Sequence, residues 1–531
     1  MDNLTIYRKR IRQFIDRVID RRYTATAPLE ARYTYDRSPI AFDSLEKRRW
    51  KPISPGTQWG ELWGSGWFRF TGTVPAGFAG SEVCALIDTG SEGCLFVNGS
   101  PVQGLTDAPQ VSGTLSRTPG YLRGKRRVPL FVKARGGEEV SLLIEVAANS
   151  LFGHKDRREF VFRQAELAVL DRTVWQLGLD LEVLYQLAEA LPPAAPRTKK
   201  LWRGLNDAAN AWADGAGADA CRAICAGLLK QKANASSSSV WAVGHAHIDL
   251  GWLWPVRETR RKAGRTFSTA LRLLEEYPDY VFGASQPQAY QWVKEDYPEL
   301  YARIRKAVAG GRWECQGAMW VEPDMNITGG ESLVRQLIFG KRFFREEFGV
   351  DVDNLWLPDV FGYSAALPQL LKQAGVDYFV TQKISWNETN TFPHHTFYWQ
   401  GIDGTRILSH FLPANTYNAN NDPAELIHAE ERFAQVDVSS DWLQLYGIGD
   451  GGGGPARRHI EFARRAANTE GVPRVRMESA REFLHRIGRF PAARLPVWTG
   501  ELYLELHRGT YTTQARMKRY NRLLEGALHD T

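Results

Sequence analysis

Residues 240–249, VWAVGHAHID, decide how the rest of the chain is read. Val240, Trp241 and Val243 make a short apolar run suited to a buried strand, and it empties into His245, His247 and Asp249. The same pattern returns downstream. LWL from Leu355 runs into PDVFG, YFVT from Tyr378 into QK, and LQLYGI from Leu443 into GDGGGGP. YVFG from Tyr280, RWECQ from Arg312 and RILSHF from Arg406 are further short apolar runs. Between them lie amphipathic stretches such as RTFSTALRLLEEY and GESLVRQLIFGKRFFREEF. Repeated strand-then-helix units predict a parallel sheet or a β/α-barrel over residues 240–498. In such barrels the working residues gather past the C-terminal ends of the strands, and here the unusual polar residues lie there.

Reading outward, residues 1–29 carry a helical pattern with Tyr7, Ile11, Phe14, Ile15, Val18 and Ile19 on one face. Residues 30–172 change to short alternating runs punctuated by Gly, Pro, Ser and Asn, which predict an all-β sandwich. Residues 173–239 read as a helical connector ending in the linker ANASSSS, and residues 499–531 as the start of a helical bundle, cut short. The expected fold class is therefore multidomain: α/β plus all-β.

The net charge of +7 is spread along the chain and interleaved with acids, which excludes a nucleic-acid-binding face. No run of eighteen apolar residues is present to span a membrane, and MDNLTIYRKRIRQF lacks an apolar signal core. Five scattered cysteines read as reduced packing residues of a cytoplasmic protein. Eighteen tryptophans supply indole faces of the kind that sugars pack against, although most belong to the core.

Three segments carry chemistry. In an extended segment His247 and Asp249 point to one side, and an imidazole beside a carboxylate suits Zn²⁺ or a similar ion. The alternative is a histidine bonded to loop backbone. Asp359, directly after a buried run, is either a helix N-cap or a carboxylate at the floor of a site. Asp450 sits in a loop whose four following glycines let a ligand approach the backbone; the loop lacks both phosphate-binding spacings, and a merely flexible loop is the other reading. Two carboxylates and a metal at one strand edge suit hydrolysis of an acetal.

At these residues the sequence resembles glycoside hydrolase family 38, the class II α-mannosidases, and its cytosolic and bacterial branch in particular. The segments that carry the resemblance are GHAHIDLGWLWP from Gly244, MWVEPDMNITGGESLVRQ from Met319, LPDVFGYSAALPQLL from Leu357, YFVTQKISWN from Tyr378, GDGGGGP from Gly449 and HRGTYTTQARMKRYNR from His507. They cover about residues 240–522, in the family's order. The region before residue 172 also resembles that branch's N-terminal β-sandwich.

The resemblance implies His247, Asp249 and Asp359 as zinc ligands, with Co²⁺ or Mn²⁺ accepted by the same donors. It implies Asp359 as the nucleophile of a retaining mechanism and Asp450 as the general acid. Trp252, Lys383 and Tyr417 become sugar-contacting residues, while Glu322 and Asp324 have no assigned role. The expected activity is zinc-dependent hydrolysis of terminal α-linked mannose from oligosaccharides. The family's fourth zinc ligand, a histidine in a Gln-x-His-Asp motif, has no match, since the only late His-Asp pair is His529-Asp530 in GALHDT. The expectations are accordingly a fragment, a site completed by a second chain or homo-oligomer, or a catalytically incomplete carbohydrate-binding remnant. Leu523, Leu524 and Leu528 are expected to be exposed.

Overall fold

The alternating run Ser65–Thr73, SGWFRFTGT, pairs antiparallel with Glu30–Asp36 on one side and Glu139–Ala147 on the other. It is a central strand of a six-stranded sheet. A four-stranded sheet, in the order Tyr23–Pro28, Gln164–Leu170, Val83–Asp88 and Arg127–Phe131, forms a second antiparallel layer. Phe68, Phe70, Ile144, Val83, Ala85 and Leu167 fill the core between them, each buried. In this computed structural model of the protein, residues 3–107, 124–149, 159–450 and 453–531 are described.

One element departs from the sequence reading. The N-terminal helix, Asn3–Asp20, stops before Tyr23–Pro28, which is an edge strand of the four-stranded sheet. Alternating threonines in YTATAP favour strand over helix, and Pro28 is tolerated at a sheet edge. The helix packs Ile11, Phe14, Ile15 and Val18 into a core shared with the helices Arg172–Ala190, Pro196–Ala213 and Gly217–Leu229. Asp171 caps the first of these, its carboxylate accepting from the Val174 N–H at 2.9 Å.

The remaining strands lie in two sheets. In the first, Ser239–His245 is central and runs parallel to Phe282–Ala284, Asp441–Tyr446 and Arg474–Met477, with Trp313–Cys315 beyond Phe282–Ala284. In the second, Asn354–Trp356, Tyr378–Thr381 and Arg406–Phe411 are parallel, followed by Thr396–Gln400 and Val497–Thr499. Side chains join the sheets at both seams. Asn354 accepts from the Gly317 N–H at 3.1 Å, and the Leu443 N–H donates to His410 at 3.2 Å. These two five-stranded sheets carry the β/α unit, with helices such as Val256–Glu276 and Gly330–Phe348 between the strands.

Helix Val256–Glu276 also fixes the sandwich against this domain. Its Lys262 and Arg265 both donate to Glu92 at 2.7 Å, and Arg261 pairs with Glu145 at 2.8 Å. The side chains of Lys262, Arg265 and Glu92 are fully buried. The C-terminal helix Ala515–Asp530 has no buried residue, and Leu523, Leu524 and Leu528 are exposed as expected. Among the described residues, no helix is long and apolar enough to cross a membrane.

Candidate functional site

Six strand ends deliver side chains to one place. Ser239–His245 leads to His247 and Asp249, Trp313–Cys315 to Glu322, Asn354–Trp356 to Asp359, and Tyr378–Thr381 to Lys383. Arg406–Phe411 leads to Tyr417, and Asp441–Tyr446 to Asp450.

The two histidines of HAH divide the two roles considered for them. His245 is fully buried, its Nδ1 is 3.0 Å from the Gly283 carbonyl, and burial lowers its pKa to about 3. It is the backbone-bonded core histidine. His247, also buried, turns Nε2 toward three carboxylates: Asp249 at 3.3 Å, Asp359 at 3.8 Å and Asp450 at 4.0 Å. One donor atom from each of these four residues lies within 4.8 Å of all the others. Burial works against a charged His247 ring, but Glu322 and Asp450 outweigh it and hold its pKa well above the usual value.

Glu322 is the site residue that sequence reasoning left without a role. Its Oε2 lies 2.9 Å from His247 Nδ1, and its Oε1 accepts from Ser285 Oγ at 2.8 Å. A carboxylate at Nδ1 fixes the ring's orientation and presents Nε2 as a lone-pair donor. Asp324, two residues on, instead accepts from the Asn326 and Ile327 N–H groups and shapes a turn. The available signal was position: Glu322 follows a strand end, as the other site residues do.

Asp359 is held from two directions. Lys383 Nζ donates to Oδ1 at 2.6 Å, and Tyr417 Oη donates to Oδ2 at 3.1 Å. Lys383 is buried between the Trp386 and Phe361 rings, 3.5 and 4.9 Å from their centroids. Those aromatic faces stabilise the ammonium where water is excluded. Burial, with Asp450 and Asp359 nearby, raises the Tyr417 pKa well above its usual value, so the phenol stays a neutral donor.

Asp450 has a left-handed backbone, φ 57°, and is fixed on several sides. Its N–H donates to the His247 carbonyl at 2.6 Å, and its Oδ1 accepts from the Asp249 N–H at 2.7 Å. Lys262 Nζ, the same ammonium that pairs with Glu92, donates to its carbonyl at 3.0 Å. Burial, reinforced by Asp249 and Asp359 against the opposing pull of His247, raises its pKa to about 7. Gly451 and Gly452 of the glycine run lie outside the described residues. Trp252 stands apart from the cluster, 47% exposed and edge-on to Trp254 at 5.3 Å.

A two-layer β-sandwich is joined to a β/α domain that brings an imidazole and three carboxylates together at its strand ends, a set that could hold a metal ion. Residues 27–190 match the alpha-mannosidase jelly roll domain, and residues 237–501 match the glycosyl hydrolases family 38 N-terminal domain. The chain belongs to glycoside hydrolase family 38. It is 38% identical to alpha-mannosidase G of Dictyostelium discoideum over 508 residues, 93% of this chain and 45% of that protein. It is 37% identical to alpha-mannosidase 2C1 of Homo sapiens over 517 residues, 95% and 48% of the two. An alpha-mannosidase of Saccharomyces cerevisiae is 32% identical over 593 residues, 99% and 53%. The chain spans about half the length of these curated relatives.

Proposed function

We propose that the protein is a metal-dependent retaining α-mannosidase that releases terminal α-linked mannose from oligosaccharides. The observation that carries this reading is the convergence of His247, Asp249, Asp359 and Asp450, with Lys383 and Tyr417 both donating to Asp359. The named relatives favour mannose as the sugar.

The donor set fits a small divalent cation. His247 Nε2 is buried without a hydrogen-bond partner and faces three carboxylates, a charge arrangement that a cation resolves. His247, Asp249 and Asp359 would hold Zn²⁺, or Co²⁺ or Mn²⁺, leaving Asp450 beside them as the acid. When bound, the metal would grip adjacent sugar hydroxyls and neutralise part of the carboxylate charge.

The chain's own residues supply the bond changes. Lys383 and Tyr417, both donating to Asp359, hold its carboxylate in place, so that one of its oxygens attacks the anomeric carbon. The glycosidic bond breaks as Asp450, protonated below about pH 7, gives its proton to the leaving oxygen. Asp450 then takes a proton from water, the water oxygen attacks the anomeric carbon, and Asp359 leaves as carboxylate. The second displacement restores the original configuration. Donor atoms of Asp359 and Asp450 within 4.8 Å support retention, since inverting enzymes need about 6.5–9.5 Å between carboxyl groups to admit a water. Trp252, exposed beside Trp254, suits the apolar face of the sugar. The five free, buried cysteines are in keeping with a reducing compartment such as the cytoplasm.

The test is hydrolysis of an aryl α-mannoside by the purified protein and by Asp359→Asn. Turnover by the first and none by the second is expected. Mannoside binding without turnover in both would favour a carbohydrate-binding remnant.

A further inference from the structure

A cavity of about 220 Å³ lies where the N-terminal helix, the sandwich, the helical connector and the β/α domain meet, away from the mannosidase cluster. Seven arginine and lysine side chains line it against a single carboxylate, Glu182. Several of these cations are already matched. Arg458 pairs with Glu182 at 3.2 Å, Arg126 with Asp88 at 3.3 Å, and Arg457 and Arg272 share Glu276. Three, Arg22, Lys125 and Arg127, have no carboxylate within ion-pair distance among the described residues. Arg22 donates to the Ile19 carbonyl at 2.6 Å. Lys125 Nζ donates to the Gly454 carbonyl, and the Arg127 guanidinium lies 4.6 Å over the Trp175 ring.

Half-buried cations without an ion pair are costly, and the chain holds Lys125 and Arg127 close together on the strand Arg127–Phe131 and the turn before it. Burial pulls both pKa values down and Arg457 adds to it; Glu92 opposes the fall at Lys125, which still drops to about 7. The cavity also receives the N-terminus of helix Arg457–Ala466, whose first turn has no acidic residue. The helix start adds partial positive charge to the cavity, although the Ala456 and His459 N–H groups there are already bonded to His459 Nδ1 and the Ala456 carbonyl. Ile19, Val174 and Leu179 add apolar surface to the lining.

We propose that this cavity binds a small phosphate monoester, its phosphate on Lys125, Arg127 and the helix start and its organic part on the apolar surface. A monoester carries nearly two negative charges at neutral pH, which the excess of cations lining the cavity would offset. Arginine meets a phosphate through two parallel N–H donors. The cavity adjoins the loop that carries Asp450: Ile448 and Pro455 line it, and the Gly454 carbonyl, at the end of the glycine run after Asp450, accepts a hydrogen bond from Lys125. A Cβ on Gly453 would come within 3.3 Å of Lys125 Nζ, so backbone and ammonium are closely packed. An occupant would therefore share Lys125 with the segment that positions Asp450.

Calorimetric titration of the purified protein with inorganic phosphate, glucose and glucose 6-phosphate tests the proposal. Glucose 6-phosphate is expected to bind more tightly than inorganic phosphate, and glucose not to bind. Arg127→Gln should weaken glucose 6-phosphate by about tenfold or more, the loss expected for a charged hydrogen-bond partner. Lys125→Met supplies the same comparison should Arg127→Gln fail to fold. Equal affinity in wild type and folded variants, or no saturable binding at millimolar ligand, would overturn the site. Equal binding of phosphate and glucose 6-phosphate would overturn the monoester assignment.

Discussion

Replacing Glu322 by glutamine alters the cation site without touching a proposed ligand. The side chain is 4% exposed, its Oε2 is 2.9 Å from His247 Nδ1, and its Oε1 accepts from Ser285 at 2.8 Å. Glutamine keeps the volume and removes the charge. If its amide nitrogen faces the ring, Nδ1 must become the acceptor and the proton moves to Nε2. That proton would then point at Asp249, Asp359 and Asp450, and Nε2 could no longer donate a lone pair. If the amide oxygen faces the ring, the tautomer survives but the imidazole loses the basicity that a carboxylate gives it. Changes of this kind cost about 10–100-fold in metal affinity. Competition with a chromophoric chelator, for Zn²⁺ and Co²⁺ separately, measures the loss. A change below about threefold, outside the range expected for such partners, would refute the role given to Glu322.

Asp450→Asn should slow mannosides with poor leaving groups by about 10²–10⁴-fold and activated aryl mannosides far less; equal loss on both would make Asp450 a binding or structural residue. In the metal-free wild type, the folded Asp450 carboxyl titrates near 7 and its unfolded counterpart near 3.8, so the folded chain holds the extra proton between them. Its contribution to stability therefore falls as pH rises through that window, and urea titrations of Asp450→Asn should show a flatter profile. Glu92→Gln removes the carboxylate shared by the fully buried Lys262 and Arg265, leaving Arg265 only its longer pair with Glu258 at 3.5 Å, and should cost about 3–5 kcal/mol in urea unfolding. A loss of under about 1 kcal/mol, the size of an exposed pair, would mean that the interdomain pairs are not what stabilises the contact.

The site was legible where chemistry follows a strand end. His247, Asp249, Asp359, Lys383 and Asp450 converge because each lies just beyond a strand, and that order is written in the apolar runs; Tyr417 was pointed to only by the family resemblance. The supports were harder to read. In RTFSTALRLLEEY the arginine at position 265 looks like part of a solvated helix face, as does Lys262 just before it. Both are buried because Glu92, on a strand of the sandwich, comes to meet them. No local period reports a partner about 170 residues away. Glu322 was obscure for a similar reason: its neighbours Glu322-Pro-Asp324 offer two acids, and only the fold decides which one faces His247 and which shapes a turn. Tyr23–Pro28 was hidden by the strongly amphipathic helix before it, although its threonines favour a strand.

The most direct test of the central claim is to find where a sugar becomes attached to the protein. A 5-fluoro mannosyl fluoride forms the glycosyl-enzyme of a retaining mannosidase quickly and lets it break down slowly. After incubation with this reagent, mass spectrometry of proteolytic fragments should find one added fluoromannosyl group, on the peptide containing Asp359. Asp359→Asn should remain unlabelled. Labelling at Asp450 or elsewhere, or hydrolysis of α-mannosides with no labelled peptide, would contradict the assignment of Asp359 as the nucleophile.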